Sequence, residues 1–236
     1  SLTLYFICKY NLKEKEVQEM TDYEITVNMV CEQLAQLKII PVLAIEKLED
    51  GMKMCELLNK NGLKTAEITF RTKAAASIIR EASNAFPEME IGAGTVLNIR
   101  DLHRAFEAGS KFAVAPGFNP TVVKEAIANN FPFFPGISSP SDIEQAYELG
   151  VRVMKFFPAE AAGGLKFLTN IAAPYKHLGI RYIPTGGLNT ENIMTYLNDP
   201  NIIAAGGTWL GKSADIEAGD WDKIDGIIKA AVELIK

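Results

Sequence analysis

Histidine and cysteine are scarce in this chain, with two of the first and three of the second among 236 residues. Cys8, Cys31 and Cys55 are odd in number and form no Cys-x-x-Cys or Cys/His cluster. That argues against a disulfide framework or a structural zinc and fits a reducing cytoplasm. His103 and His177 stand far apart, each in a polar helix-like stretch, and read as surface residues. No metal-ligand set is assigned, and no cofactor is called for. Long apolar runs are missing too, so no membrane span is expected. Nor is there an excess of positive charge: 24 Lys and Arg against 29 Asp and Glu leave a net charge of −5. That balance argues against nucleic-acid and polybasic membrane partners. The chain opens with a short apolar stretch followed by a charged one, the reverse of a secretory signal. Residues 1–21 are therefore set apart as an N-terminal extension, and 22–236 are read as one domain.

What the chain does have is alternation. Hydrophobic residues make up 48% and charged residues 22%, the balance of a globular domain with a sizeable core. From Lys38 onward, short β-type runs alternate with amphipathic helix-type runs. The strand candidates cover residues 39–45, 65–70, 90–96, 111–116, 131–137, 152–157, 181–186 and 202–207. Helix-like stretches such as 50–62 and 72–86 lie between them. This spacing argues for parallel βαβ units, and eight of them predict a single (β/α)8 TIM barrel. An open doubly wound sheet is the competing arrangement, but it does not require eight strands. An extra N-terminal helix over Asp22–Leu37 would plug the bottom of the barrel or lie across it. Ser139 and Asn189 open segments of helix-capping character, and Gly62, Gly109 and Gly150 end helices where a left-handed residue is needed.

In such a barrel the chemistry sits at the C-terminal ends of the strands. Side chains alternate along a strand, so Glu67, Thr69 and Arg71 share one face of strand two, and Ile68 and Phe70 the other. The polar trio would point into the barrel mouth. Glu67 and Arg71 read either as a structural ion pair or as a proton shuttle beside a guanidinium that grips a carboxylate. In strand six the same alternation puts Val153, Lys155 and Phe157 on the inner face. An ammonium among Met154, Phe156 and Phe157 is poorly solvated, which favours the neutral amine that a Schiff-base nucleophile needs. The competing reading is a strand-end lysine that snorkels to water. Strand three delivers Thr95 after Gly92, Ala93 and Gly94, small residues that allow close approach of a ligand or tight barrel packing. The last two strands end in Gly186-Gly187 and Gly206-Gly207-Thr208, loops suited to holding a phosphate on backbone N–H groups.

The segments AEITFRT (66–72), IGAGTVLN (91–98), KFAVAPGFNP (111–120), KFFPAEAAGG (155–164), IPTGGLN (183–189) and GGTWL (206–210) carry a family resemblance. Together the sequence resembles the class I KDPG/KHG aldolases, which act on 2-keto-3-deoxy-6-phosphogluconate and 4-hydroxy-2-oxoglutarate. The resemblance runs from about Pro41 to Trp221. It implies that Lys155 forms the Schiff base and Glu67 is the general acid/base. Arg71 and Thr95 would hold the substrate carboxylate, Pro116 and Phe157 line the pocket, and Thr185 influence stereochemistry at C4. Gly186, Gly187, Gly207 and Thr208 would bind phosphate; Thr208 stands where the family often has serine. The partner implied is a small keto-acid phosphate, and the assembly a homotrimer. A sister family acting on the galactonate epimer shares the lysine and the barrel. An isomerase or synthase on the same scaffold, with Lys155 only neutralising substrate charge, is the alternative of a different class.

Overall fold

The computed structural model describes residues 20–236. The extension assigned to residues 1–21 therefore lies almost entirely outside the described residues. The first half runs α1 (Asp22–Leu37), β1 (Ile39–Leu43), α2 (Leu48–Lys60), β2 (Thr65–Thr69), α3 (Ala75–Ala85), β3 (Glu90–Gly94), α4 (Ile99–Glu107), β4 (Phe112–Val114) and α5 (Pro120–Ala128). Then come β5 (Phe133–Phe134), β6 (Gly136–Ile137), α6 (Pro140–Glu148), β7 (Val153–Phe156), α7 (Gly164–Ala172) and a 3₁₀ turn (Ala173–Leu178). The chain ends with β8 (Arg181–Pro184), α8 (Ile193–Leu197), β9 (Ala205–Gly207), α9 (Ser213–Ala218) and α10 (Trp221–Leu234).

All strand pairs are parallel. Six strands form a curled sheet in the order β5-β4-β3-β2-β1-β9, and β6-β7-β8 form a second. Single bridges join Tyr182 of β8 to Ile202, ahead of the last strand, and Thr185, just past β8, to Gly206 of β9. The ladders thus differ from the eight uninterrupted strands expected. The run 131–137 is split into two short strands at Pro135, which has no N–H to give to a ladder. The last strand begins only at Ala205, later than the sequence implies.

Alternation decides what each face does. Ala66 and Ile68 of β2, and Met154 and Phe156 of β7, are buried in the core beneath the helices. Ile40, Phe112, Val114, Phe134, Val153 and Ile183 form a second cluster with Tyr23, Val27, Val30, Cys31 and Leu34 of α1. α1 therefore packs its apolar face on the inner faces of the strands, at their N-terminal end. Its start is fixed by a capping box between Thr21 and Glu24. Ser139 makes the same device with Asp142 at α6. Asn189 does not cap a helix directly: it accepts from Glu191 N in a turn, and α8 starts only at Ile193. Gly62, Gly109 and Gly150 have φ of 82°, 84° and 91°, the left-handed values their positions require.

Candidate active site

With α1 filling one end, the inner strand positions nearer the C-terminal ends are left facing a cavity of about 280 Å³. Lys155 stands one pleat above Val153, and its buried amine, on the second sheet, meets the carboxylate of Glu67 on the first. Lys155 Nζ lies 3.1 Å from Glu67 Oε1 and 3.2 Å from Oε2. The two residues are 5% and 3% exposed. Each satisfies the other; a lone charge at such depth would be costly. The Phe157 ring completes the apolar side of the amine, its centroid 5.9 Å from Nζ.

The carboxylate fits because β3 carries Gly94. A Cβ at Gly94 would fall 2.2 Å from Glu67 Oε1, far inside contact distance. The glycine therefore reserves the volume that the carboxylate occupies. Gly92, one pleat lower, gives its space to the Phe112 ring, so packing accounts for it.

Arg71 is exposed at the rim and does not pair with Glu67. Its Nε donates to Thr69 Oγ1 at 3.2 Å, and Thr69 donates to Leu43 O at 3.0 Å. The structural ion pair considered between Glu67 and Arg71 is thereby corrected: the carboxylate's partner is Lys155, and among the described residues no carboxylate pairs with the guanidinium. Thr95 sits on the cavity wall at φ 56°, an unusual conformation for a β-branched residue. Pro116 also lines the wall. Its carbonyl lies so close to Gly136 that a Cβ there would come within 2.1 Å.

Thr185 is 5% exposed, faces the cavity, and its Oγ1 has no hydrogen-bond partner among the described residues. Gly186 and Thr208 line the same cavity. Gly187 and Gly207 do not. Gly187 packs on the stem of Glu160 and Gly207 beneath the Trp209 ring, where added Cβ atoms would come within 2.7 Å and 1.7 Å. Two wall residues escaped the sequence reading as ligand contacts. Val42 is apolar and carries no chemical signal beyond its place in the alternation of β1. Thr69 was visible as the middle of the polar trio. Outside the site, His103 pairs with Glu125 at 2.8 Å on an exposed surface.

A primary amine within proton-transfer reach of a carboxylate can attack a carbonyl and pass its proton on. The Arg71 guanidinium on one side, and on the other the Thr185 hydroxyl, unpartnered among the described residues, with the small loop at Gly186, suit a small molecule with an anion at each end.

Comparison with known proteins points to the same chemistry. Residues 30–227 match the family model described as "Aldolase: KDPG and KHG aldolase". The 2-dehydro-3-deoxy-phosphogluconate aldolase of Haemophilus influenzae is 42% identical over 211 residues, covering 89% of this chain and 99% of its own. The KHG/KDPG aldolase of Escherichia coli is 39% identical over 195 residues, 83% of this chain and 91% of its own. A KDPG aldolase from Legionella pneumophila, with pyruvate captured as a covalent carbinolamine intermediate, superposes with a TM-score of 0.79 at 31% identity. That superposition covers 90% of this chain and 98% of the other. The chain belongs to the KDPG and KHG aldolase family.

Proposed function

We propose that this protein is a class I aldolase that reversibly cleaves 2-keto-3-deoxy-6-phosphogluconate to pyruvate and glyceraldehyde 3-phosphate, and that it also accepts 4-hydroxy-2-oxoglutarate. The observation that carries the reading is the buried Lys155 amine, 3.1 Å from the Glu67 carboxylate within the cavity. Glu67 takes a proton from Lys155, and the neutral amine attacks C2 of the keto acid. The carbinolamine loses water, with Glu67 supplying the proton, and a protonated imine remains. Glu67 then accepts the C4 hydroxyl proton, directly or through a water. The C4–O electrons form the aldehyde, the C3–C4 bond breaks, and its electron pair moves to the imine nitrogen as an enamine. Protonation at C3 and hydrolysis release pyruvate and regenerate the amine.

Arg71 and Thr95 hold the C1 carboxylate, while Thr185 contacts the C4 substituents. Gly186 and Thr208 on the cavity wall form the phosphate end with Gly187 and Gly207 packed behind them, and Pro116 and Phe157 exclude water around the imine. The relatives named for the phosphogluconate substrate support the gluconate epimer over the galactonate one. The two sheets and the bridges Tyr182↔Ile202 and Thr185↔Gly206 support a single closed (β/α)8 barrel over residues 22–236. We assign the working form as a cytoplasmic homotrimer, by likeness to the family.

The test is chemical trapping. Incubation with pyruvate and borohydride, followed by peptide mass spectrometry, should place a reduced pyruvyl adduct on Lys155. Protein left unmodified in excess pyruvate sinks the Schiff-base mechanism.

A further inference from the structure

One polar contact beside the cavity takes no part in this mechanism. Glu160, on the segment leaving β7, accepts a hydrogen bond from the Tyr196 hydroxyl of α8. Tyr196 is 1% exposed. Burial first, then the bond to Glu160, pushes its hydroxyl well above the usual phenol range. It is a permanent donor at neutral pH.

The loop that follows β8 is tied to the same place. Thr185 O accepts from Ala159 N at 2.8 Å, Gly186 O from Glu160 N at 3.0 Å, and Gly187 O from Asn192 Nδ2 at 3.1 Å. In a trans peptide the N–H points opposite to the carbonyl. The N–H groups of Gly186 and Gly187 therefore turn away from the Glu160 segment, that of Gly186 to the side of the Thr185↔Gly206 bridge. Both glycines hold left-handed φ values, 105° and 80°, in a backbone that is soft without outside support. The support is the Glu160 stem: a Cβ at Gly187 would lie 2.7 Å from its Cβ and 2.9 Å from its Cγ. At the far end of the stem, the Glu160 carboxylate and the Tyr196 hydroxyl both lie within 3.5 Å of the Cβ position of Gly164. Two loops and a helix thus converge on one side chain. The bond to Tyr196 also holds the carboxylate to the α8 side, where its charge is spent on a hydroxyl.

We infer that Glu160, clasped by Tyr196, is a positioning residue for the phosphate end of the site, fixing the backbone of the Gly186-Gly187 loop against which the phosphoryl group is held. This deepens the phosphate reading above and rests on it. The clasp touches no reacting atom, so it should act on binding of the phosphorylated aldehyde and leave the pyruvate end alone.

Two measurements separate these ends. Exchange of the pyruvate methyl protons in deuterated water reads imine and enamine formation without any phosphate. The KM for glyceraldehyde 3-phosphate in condensation with pyruvate reads the phosphate end. Tyr196→Phe and Glu160→Ala should each raise that KM roughly tenfold, the loss expected of one hydrogen bond to a charged acceptor. Pyruvate exchange should proceed at the wild-type rate in both. Glu160→Gln keeps the stem and an acceptor oxygen and should restore the wild-type KM. An unmoved KM in Tyr196→Phe and Glu160→Ala overturns the clasp, and so does a loss of pyruvate exchange in step with the rise in KM, which marks general damage. Failure of the wild-type protein to exchange pyruvate protons rejects the aldolase reading itself, and the clasp with it. If the wild-type protein exchanges pyruvate yet binds D-glyceraldehyde as well as its 3-phosphate, the phosphate reading falls and the clasp falls with it.

Discussion

Lys155 Nζ lies 3.1 Å and 3.2 Å from the two carboxylate oxygens of Glu67, although the residues are 88 positions apart in the chain. Both are buried, so the pair that the proposed mechanism uses is also a structural liability. Removing one partner should show both properties.

Lys155→Met should abolish turnover and pyruvate trapping, and it should also lower stability by about 3 kcal/mol, because Glu67 is left buried without a counter-charge. Lys155→Met/Glu67→Leu should recover most of that stability while remaining inactive. Urea unfolding of the three proteins measures the coupling. Equal stability of Lys155→Met and wild type would show that Glu67 does not depend on the lysine.

Gly94→Ala should cost at least about 100-fold in kcat/KM, since its methyl needs the volume held by Glu67 Oε1 and a small displacement of a catalytic group carries a penalty of that order. Gly226→Ala is the matching control. This exposed glycine lies within α10 with nothing near its Cβ position, so alanine should stabilise by about 0.8 kcal/mol and leave kcat/KM unchanged. Steady-state kinetics and thermal melts of the two variants distinguish a filled site from a general intolerance of substitution.

Thr95 holds a left-handed φ of 56° with a β-branched side chain, a strain on the order of 1 kcal/mol. Thr95→Gly should relieve that strain and keep or raise the melting temperature, yet raise the KM for pyruvate by removing the hydroxyl from the carboxylate end. A variant that melts lower and binds pyruvate normally would reverse the assignment.

Glu90, at the start of β3, supplies a pH dependence. Burial raises its carboxyl pKa, the Lys111 charge offsets this in part, and its Oε2 has no hydrogen-bond partner among the described residues. A folded pKa above the unfolded one means that the native state binds the proton more tightly. The contribution therefore favours folding at acid pH and is lost as pH rises through the folded pKa. Glu90→Gln should be more stable than wild type at neutral pH by on the order of 1 kcal/mol, because it removes the negative charge that burial disfavours. The gap should close as pH falls through the carboxylate range. Urea midpoints across that range test it, and a constant gap would argue against a titrating origin.

Much of the fold was legible because the pleat repeats every two residues. That periodicity assigned Ile68, Met154 and Phe156 to the helical side and Glu67, Lys155 and Phe157 to the inner side, where they lie. Strand continuity was less legible. Pro135 splits one apolar run into two short ladders, and composition alone does not reveal where a missing N–H interrupts pairing. Val42 escaped notice because an apolar wall residue looks the same in sequence as an apolar core residue. The left-handed backbone of Thr95 ran against local preference, since a β-branched residue predicts extended φ.

By itself the sequence determined the alternation of elements, the inward faces of the strands and the family motifs, because each is encoded by near neighbours in the chain. Tertiary structure alone decided that Glu67 answers Lys155 rather than its neighbour Arg71. It alone made Gly94 the space for a carboxylate and brought Glu160 and Tyr196 together beneath the last loops. These are contacts between strands, loops and helices far apart in the chain, set by register and closure, and no local spacing records them.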